Sequence, residues 1–208
     1  MQLEILPVGL YEANCILLWE DPAKAWVVDP GADGPAILRL LKERGLTPGT
    51  ILLTHGHFDH IGAVNDLVGA FPSVPVRLAK EDAVFAFSPA NQTAGYPPTK
   101  RPATLDDASL REGAVLSCGG LSAKVMQTPG HTPGSCCFLF EGQNLLLTGD
   151  TLFCGSCGRT DFPGGDWRQM GDSLHRLRGL PDGLRVICGH GPETTIAAEK
   201  QDNPYFQG

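Results

Sequence analysis

The sequence predicts a mixed α/β fold, and two observations carry that prediction. Short apolar runs of the β type alternate with helical periodicity through the first half. The second half then opens on four apolar runs separated by turn signals, as neighbouring strands would be.

In chain order, QLEIL (2–6), NCILLWE (14–20) and AWVVDP (25–30) read as strands. GPAILRLLKERG (34–45) reads as a helix: its apolar residues at 37, 38, 40 and 41 share one face, and Gly45 stops it. TILLT (50–54) is a strand, HIGAVNDLVGAF (60–71) a helix ended by Pro72, VPVRLA (74–79) a strand and KEDAVFAF (80–87) a short helix. Residues 88–105 are rich in proline and lack periodicity, so they are expected to form a long mobile loop, a lid. AVLSC, LSAKVMQ, CCFLF and NLLLT follow as strands between 114 and 148. A helix over 166–177, a strand LRVIC and a last helix in TTIAAEKQD complete the reading.

The 208 residues, 42% of them apolar, suffice for a core burying roughly 70% of the unfolded surface. The 26 glycines and 17 prolines are spread along the whole chain and mark no linker, so one domain over 1–208 is expected. The formal charge is −7 and there is no Lys/Arg-rich run, which argues against nucleic acid and anionic membrane as partners and leaves a small molecule. No segment reads as a signal peptide or a membrane span, and seven irregularly spaced cysteines suit a reducing compartment, so the expected location is the cytoplasm. Oligomeric state is not legible. The ending QDNPYFQG is read as native chain.

Histidine placement carries the chemistry. His55, His57, His60, His131 and His190 all follow predicted strands inside Gly-rich turns, and Asp150 ends a strand in the same way. Groups outside the carboxyl ends of strands converge on one crevice. Within HGHFDH, His55 and His57 share one side of an extended segment, while Asp59 and His60 follow a turn and point elsewhere. That spacing suits two metal ions better than one, with His131 and His190 each supplying a third nitrogen. Imidazole and carboxylate without thiolate accommodate Zn, Fe or Mn. A carboxylate such as Asp150 can span two cations roughly 3.5–4 Å apart. His175, inside the helix 166–177, is read as an ordinary surface residue.

THGHFDH, the lone His of TPGHTPGS, the Asp of LLTGD and the His of GHGP together resemble the metallo-β-lactamase superfamily over nearly the whole chain. The resemblance implies an αββα four-layer sandwich. It also implies two divalent ions, zinc first, with iron or a mixed iron–zinc pair as alternatives. One would be held by His55, His57 and His131, the other by Asp59, His60 and His190, with Asp150 bridging; Asp29 in VVDPG would support the ligand loops by hydrogen bonding.

Within that superfamily, DTLFCGSCGRTDFPGGD and the ending GHGPETTIAAEKQDNP are similar to the small glyoxalase II-type branch. That similarity implies hydrolysis of a glutathione thioester such as S-lactoylglutathione, with a hydroxide bridging the two ions as nucleophile and Asp59 and Asp150 as catalytic carboxylates. Larger glyoxalase II enzymes hold glutathione partly through an added helical region, so either the 88–105 loop contacts substrate here through Lys100 and Arg101 or the substrate is not a glutathione conjugate; Arg159 is expected to orient its own loop or to meet substrate. CGRTDF is also similar to persulfide dioxygenases, in which one iron would sit on His55, His131 and Asp150. A non-catalytic metal- or ligand-sensing protein on the same fold is the third reading. Cys154 and Cys157 are taken as loop cysteines and not as a redox pair.

Overall fold

The structure, a computed structural model, describes residues 1–207; Gly208 lies outside the described residues. Strands β1 (Gln2–Val8), β2 (Ala13–Trp19), β3 (Ala25–Val28), β4 (Pro48–Leu52), β5 (Val76–Arg77) and β6 (Leu105–Asp106) form one sheet in sequence order. β1, β2 and β3 pair antiparallel; β3 to β6 pair parallel. Parallel neighbours need crossovers. These are supplied by α1 (Gly34–Glu43), by α2 (Phe58–Ile61) with α3 (Val64–Ala70), and by α4 (Lys80–Ala86) with the chain that follows it.

The second sheet runs β14 (Thr194–Thr195), β13 (Arg185–Cys188), β10 (Leu145–Gly149), β9 (Cys136–Phe140), β8 (Leu121–Gln127), β7 (Val115–Cys118). A small hairpin, β11 (Leu152–Phe153) with β12 (Ser156–Cys157), and the helix α5 (Trp167–Arg178) connect β10 to its parallel neighbour β13. The last helix is α6 (Ile196–Asp202).

Side-chain alternation sorts the apolar residues into three cores, and three cores separate four layers. On β2, Cys15, Leu17 and Trp19 pack with Ile37 and Leu41 of α1 and Leu67 of α3. Ile16 and Leu18 face the other way, into the space between the sheets, with Trp26, Phe138, Phe140 and Leu147. β2 is therefore buried along its whole length, as a strand covered on both faces must be. The third core lies between the second sheet and α5, α6 and Phe206. The resulting order is helices, sheet, sheet, helices: the αββα sandwich.

Helix ends follow local chemistry. Asp166 caps α5 by accepting from the backbone N–H groups of Arg168 and Gln169, and Thr195 caps α6 through Ala198 N–H. The expected helix over 60–71 starts earlier, at Phe58, and is broken in two. The N–H of Ala63 donates to Pro30 O at 2.9 Å instead of continuing the helical ladder. The segment 88–105, expected as a mobile loop, is anchored at three points. Asn91, Tyr96 and Thr99 are buried, and their side chains bond to Gly56 O and Ala86 O, to Leu10 N–H and to Ile61 O respectively. Proline content hid these anchors, because they are polar side chains without periodicity. Among the described residues, no helix is long and apolar enough to cross a membrane.

β8 and β10 are both antiparallel to β9, and β13 is parallel to β10, so all three end on the same edge. β3 and β4 likewise end together. The two edges are tied to each other by Cys136 N–H donating to Thr54 O at 2.8 Å and by a bridge between Ala13 and His190. Every residue the sequence nominated as a metal ligand lies just beyond one of these strand ends.

Candidate metal centre

His55 and His57 extend from the end of β4, Asp59 and His60 lie in the first turn of α2, and His131, Asp150 and His190 follow β8, β10 and β13. Three groups have ligand atoms all within 4.8 Å of one another: His55, His57 and His131; Asp59, His60 and His190; and His55, His60 and Asp150. The Asp150 carboxylate lies between the first two. Its Oδ1 is 3.4 Å from His60 Nε2, and its Oδ2 is 3.5 Å from His131 Nε2 and 3.6 Å from His190 Nε2.

Hydrogen bonds behind the rings decide which nitrogen faces inward. His131 Nδ1 donates to Arg159 O at 2.7 Å and His190 Nδ1 to Tyr11 O at 2.8 Å, which leaves each Nε2 turned to the centre. His60 Nδ1 donates to Asp29 Oδ2 at 2.9 Å. Asp29 also accepts from Thr54 N–H (2.8 Å) and Thr54 Oγ1 (2.6 Å), and that hydroxyl accepts in turn from His55 Nδ1 at 3.0 Å. One buried carboxylate thus orients His60 directly and His55 through Thr54.

The inward nitrogens lack protein partners of the right kind. His57 Nδ1 and His131 Nε2 face each other at 2.9 Å, and His60 Nε2 and His190 Nε2 at 3.1 Å. Among the described residues, His55 Nε2 and Asp150 Oδ1 are buried without a hydrogen-bond partner. Converging lone pairs of this kind are satisfied by cations, and nitrogen with carboxylate oxygen is a donor set that zinc, iron and manganese all accept. The residues therefore fit two metal ions, and the site is a His-rich metal-binding centre.

The electrostatics agree. Burial holds the His55 imidazole well below its ordinary range and, reinforced by His131 and His60, brings His57 down to about 3, so both rings present free lone pairs. Burial also works against a charge on His60, but the carboxylates of Asp150, Asp29 and Asp59 outweigh it and push His60 up to about 10. His190 rises despite its burial through its contact with Asp59 and the nearby Asp150. Asp59, though largely buried, is held below the usual carboxylate range by His60 and His190. Three acids around His60 create a demand for positive charge that a metal ion meets.

A cavity of about 480 Å³ opens over the centre, with His57, Asp59, His131, Asp150 and His190 in its floor. Tyr11, Phe58, Phe153 and Phe162 supply aromatic wall, and Ser156, Cys157 and Arg159 complete it. Arg159 lies 4.0 Å over the Phe162 ring and is paired with Asp161 through both Nε and Nη2. Lys100 and Arg101 do not line this cavity. Arg101 is paired with Asp107 at 2.7 Å, and the backbone of Lys100 is bonded to Asn65. Cys154 and Cys157 are free thiols, and His175 lies exposed on α5.

Close packing explains several glycines, Gly189 most directly. A Cβ there would stand 2.1 Å from Asp150 Oδ1, so any side chain would displace the carboxylate that faces both triads. Sequence reasoning missed Asn14, which donates to Cys188 O and Gly191 O and so holds the turn that carries His190. It also missed Asp82 and the aromatic wall. Asn14 sits between apolar residues at the start of a strand, where its polarity was the one available signal.

Residues 8–190 match the family model of the metallo-beta-lactamase superfamily. Hydroxyacylglutathione hydrolase GloC of Haemophilus influenzae is 37% identical over 99% of this chain and 98% of its own length. The crystal structure of the BLEG-1 B3 metallo-beta-lactamase superposes with a TM-score of 0.90 at 37% identity, covering 100% of both chains. That of TTHA1623 in a di-iron-bound form gives 0.86 at 37% identity, covering 97% of this chain and 99% of the other. The chain belongs to the metallo-beta-lactamase superfamily.

Proposed function

We propose that this protein is a dinuclear metal-dependent hydrolase of activated acyl compounds, with glutathione thioesters such as S-lactoylglutathione as its preferred substrates. The observation that carries the proposal is the pair of ligand triads with the Asp150 carboxylate between them, Oδ1 beside His60 and Oδ2 between His131 and His190. His55, His57 and His131 would hold one ion, Asp59, His60 and His190 the other, and Asp150 would reach both. Such ions supply Lewis acidity and ionise water near neutral pH, its pKa falling from 15.7 to about 7.

The chain's own groups do the rest. Asp59, held ionised by His60 and His190, accepts a hydrogen bond from the attacking water and orients it. Tyr11, Phe58, Phe153 and Phe162 exclude bulk water and pack the apolar part of the substrate. Arg159 is the basic side chain in the cavity wall and is the group that meets a glutathione carboxylate, by exchanging it for Asp161. A thiolate of solution pKa about 8.5 departs without a general acid, so a thioester asks no dedicated proton donor of this site.

The GloC relative, matched over 98% of its length, supports the glutathione assignment, since a protein of this size carries that name. The di-iron form of TTHA1623 makes iron as reasonable an occupant as zinc. Seven free thiols support a reducing, cytoplasmic setting. The test is thiol release from S-lactoylglutathione by the metal-loaded protein, its Asp150→Ala and its His131→Ala variants. Turnover by the wild type that is lost in both folded variants supports the proposal. Turnover retained in either variant, or none in the wild type on any thioester, overturns it.

A further inference from the structure

Asp82 on α4 belongs to no motif, does not line the cavity, and is 2% exposed. Its carboxylate accepts three hydrogen bonds from two separate ligand loops. Oδ2 takes the N–H of Gly56 at 2.8 Å and the hydroxyl of Thr132 at 2.7 Å; Oδ1 takes the N–H of Gly134 at 2.7 Å. Gly56 lies between His55 and His57, and Thr132 directly follows His131. These are the three members of one triad.

The loop is also gripped from its other side. Asn91, equally buried, donates one amide group to Gly56 O at 2.8 Å and Ala86 O at 2.8 Å, so both polar groups of Gly56 are held from outside the turn. The approach leaves no room for adjustment: a Cβ on Gly134 would lie 2.7 Å from the Asp82 carboxyl, and one on Gly56 3.1 Å from the Asp82 Cβ. A carboxylate suits the junction because it only accepts, whereas an amide would turn N–H groups toward N–H groups. Asp82 makes no bond to the loops of the second triad, where Tyr11 O stands behind His190 and Asp29, which also reaches His55 through Thr54, stands behind His60.

We propose that Asp82, with Asn91, is the positioning clamp of the His55–His57–His131 triad: it sets the spacing between the β4 loop and the β8 loop, and so the affinity of that one metal position. The inference rests on the two-ion reading given above. Loss of a hydrogen-bonded support behind a metal ligand typically lowers affinity by about 10–100-fold.

The experiment is a competition titration of the metal-stripped full chain with Co²⁺ against a chromophoric chelator, recording the visible spectrum and the number of ions retained. It compares the wild type with Asp82→Asn, Thr132→Val and Thr132→Ser. The expected result is about 10–100-fold weaker binding of one ion in Asp82→Asn, a smaller loss at the same position in Thr132→Val, wild-type binding in Thr132→Ser, and a second ion unchanged throughout. Equal weakening of both ions, or wild-type affinity for both in Asp82→Asn and Thr132→Val, overturns the clamp. Should Asp82→Asn not fold, the Thr132 pair decides by the same readings. A wild type that retains fewer than two ions overturns the two-ion reading and the clamp with it, whereas failure in the variants alone removes only the clamp.

Discussion

Replacing Asp29 by Asn tests how the centre is oriented, because the change keeps volume while removing one negative charge and turning one acceptor oxygen into an NH₂ donor. Asp29 accepts from three donors: Thr54 N–H on Oδ1, and the Thr54 hydroxyl and His60 Nδ1 on Oδ2. An amide can satisfy one side only. With its oxygen toward Thr54 N–H, its NH₂ faces His60 Nδ1, which must then give up its proton and carry one on Nε2, the nitrogen directed at His190 and Asp150. With its oxygen toward His60, its NH₂ opposes the buried Thr54 N–H, an unsatisfied contact costing about 1–3 kcal/mol. Either orientation does damage. We expect the metal-free variant to lose about 1–3 kcal/mol of stability in urea titration. Metal affinity should fall about 10–100-fold, or about 1.4–2.8 kcal/mol, by chelator competition. Wild-type affinity together with a stability change under about 0.5 kcal/mol would refute the reasoning.

Arg159→Gln should raise KM for S-lactoylglutathione about tenfold with little change in kcat, and leave a thioester of a neutral thiol unaffected, in steady-state thiol-release assays. Equal effects on both substrates would remove Arg159 from glutathione recognition. For the metal-stripped protein, the histidines set a stability maximum near pH 6.5. His60, raised to about 10, contributes fully below about 6.5 and loses that contribution as pH rises through 10. His57, lowered to about 3, destabilises progressively as pH falls below about 6.5. Denaturation midpoints that stay level or climb between pH 6.5 and 10 would contradict the His60 assignment. Phe138→Ala, emptying a fully buried position between the sheets against Trp26 and Phe140, should cost about 3–5 kcal/mol of stability while the metal stoichiometry of the folded fraction holds.

The candidate ligand cluster was legible in the sequence because metal chemistry restricts residue type and spacing: HGHFDH, His131, Asp150 and His190 each follow a strand end, and the folded chain brings these seven residues together. Much of the surrounding framework was legible from periodicity, as in the helix over 34–45 and the strand over 121–127. What supports the ligands was not. Asp82 in KEDAVFAF looks like any surface acid beside Glu81, and only the packing of α4 under two loops turns it inward. Asn91, Tyr96 and Thr99 fix a segment whose prolines read as mobility. Lys100 and Arg101 carry the right charge for a glutathione carboxylate but lie off the cavity, since local sequence says nothing about which way a loop turns. The break between α2 and α3 depends on Pro30 O, a partner distant in sequence.

The most direct test of the account is the metal content of the protein purified without added metal, in ions per chain by elemental analysis. Two ions per chain, zinc, iron or one of each, is the predicted result, with one ion retained in His131→Ala. One iron per chain and no zinc would contradict it, strip His57, Asp59, His60 and His190 of their ligand roles, and favour oxygen-dependent persulfide chemistry on His55, His131 and Asp150.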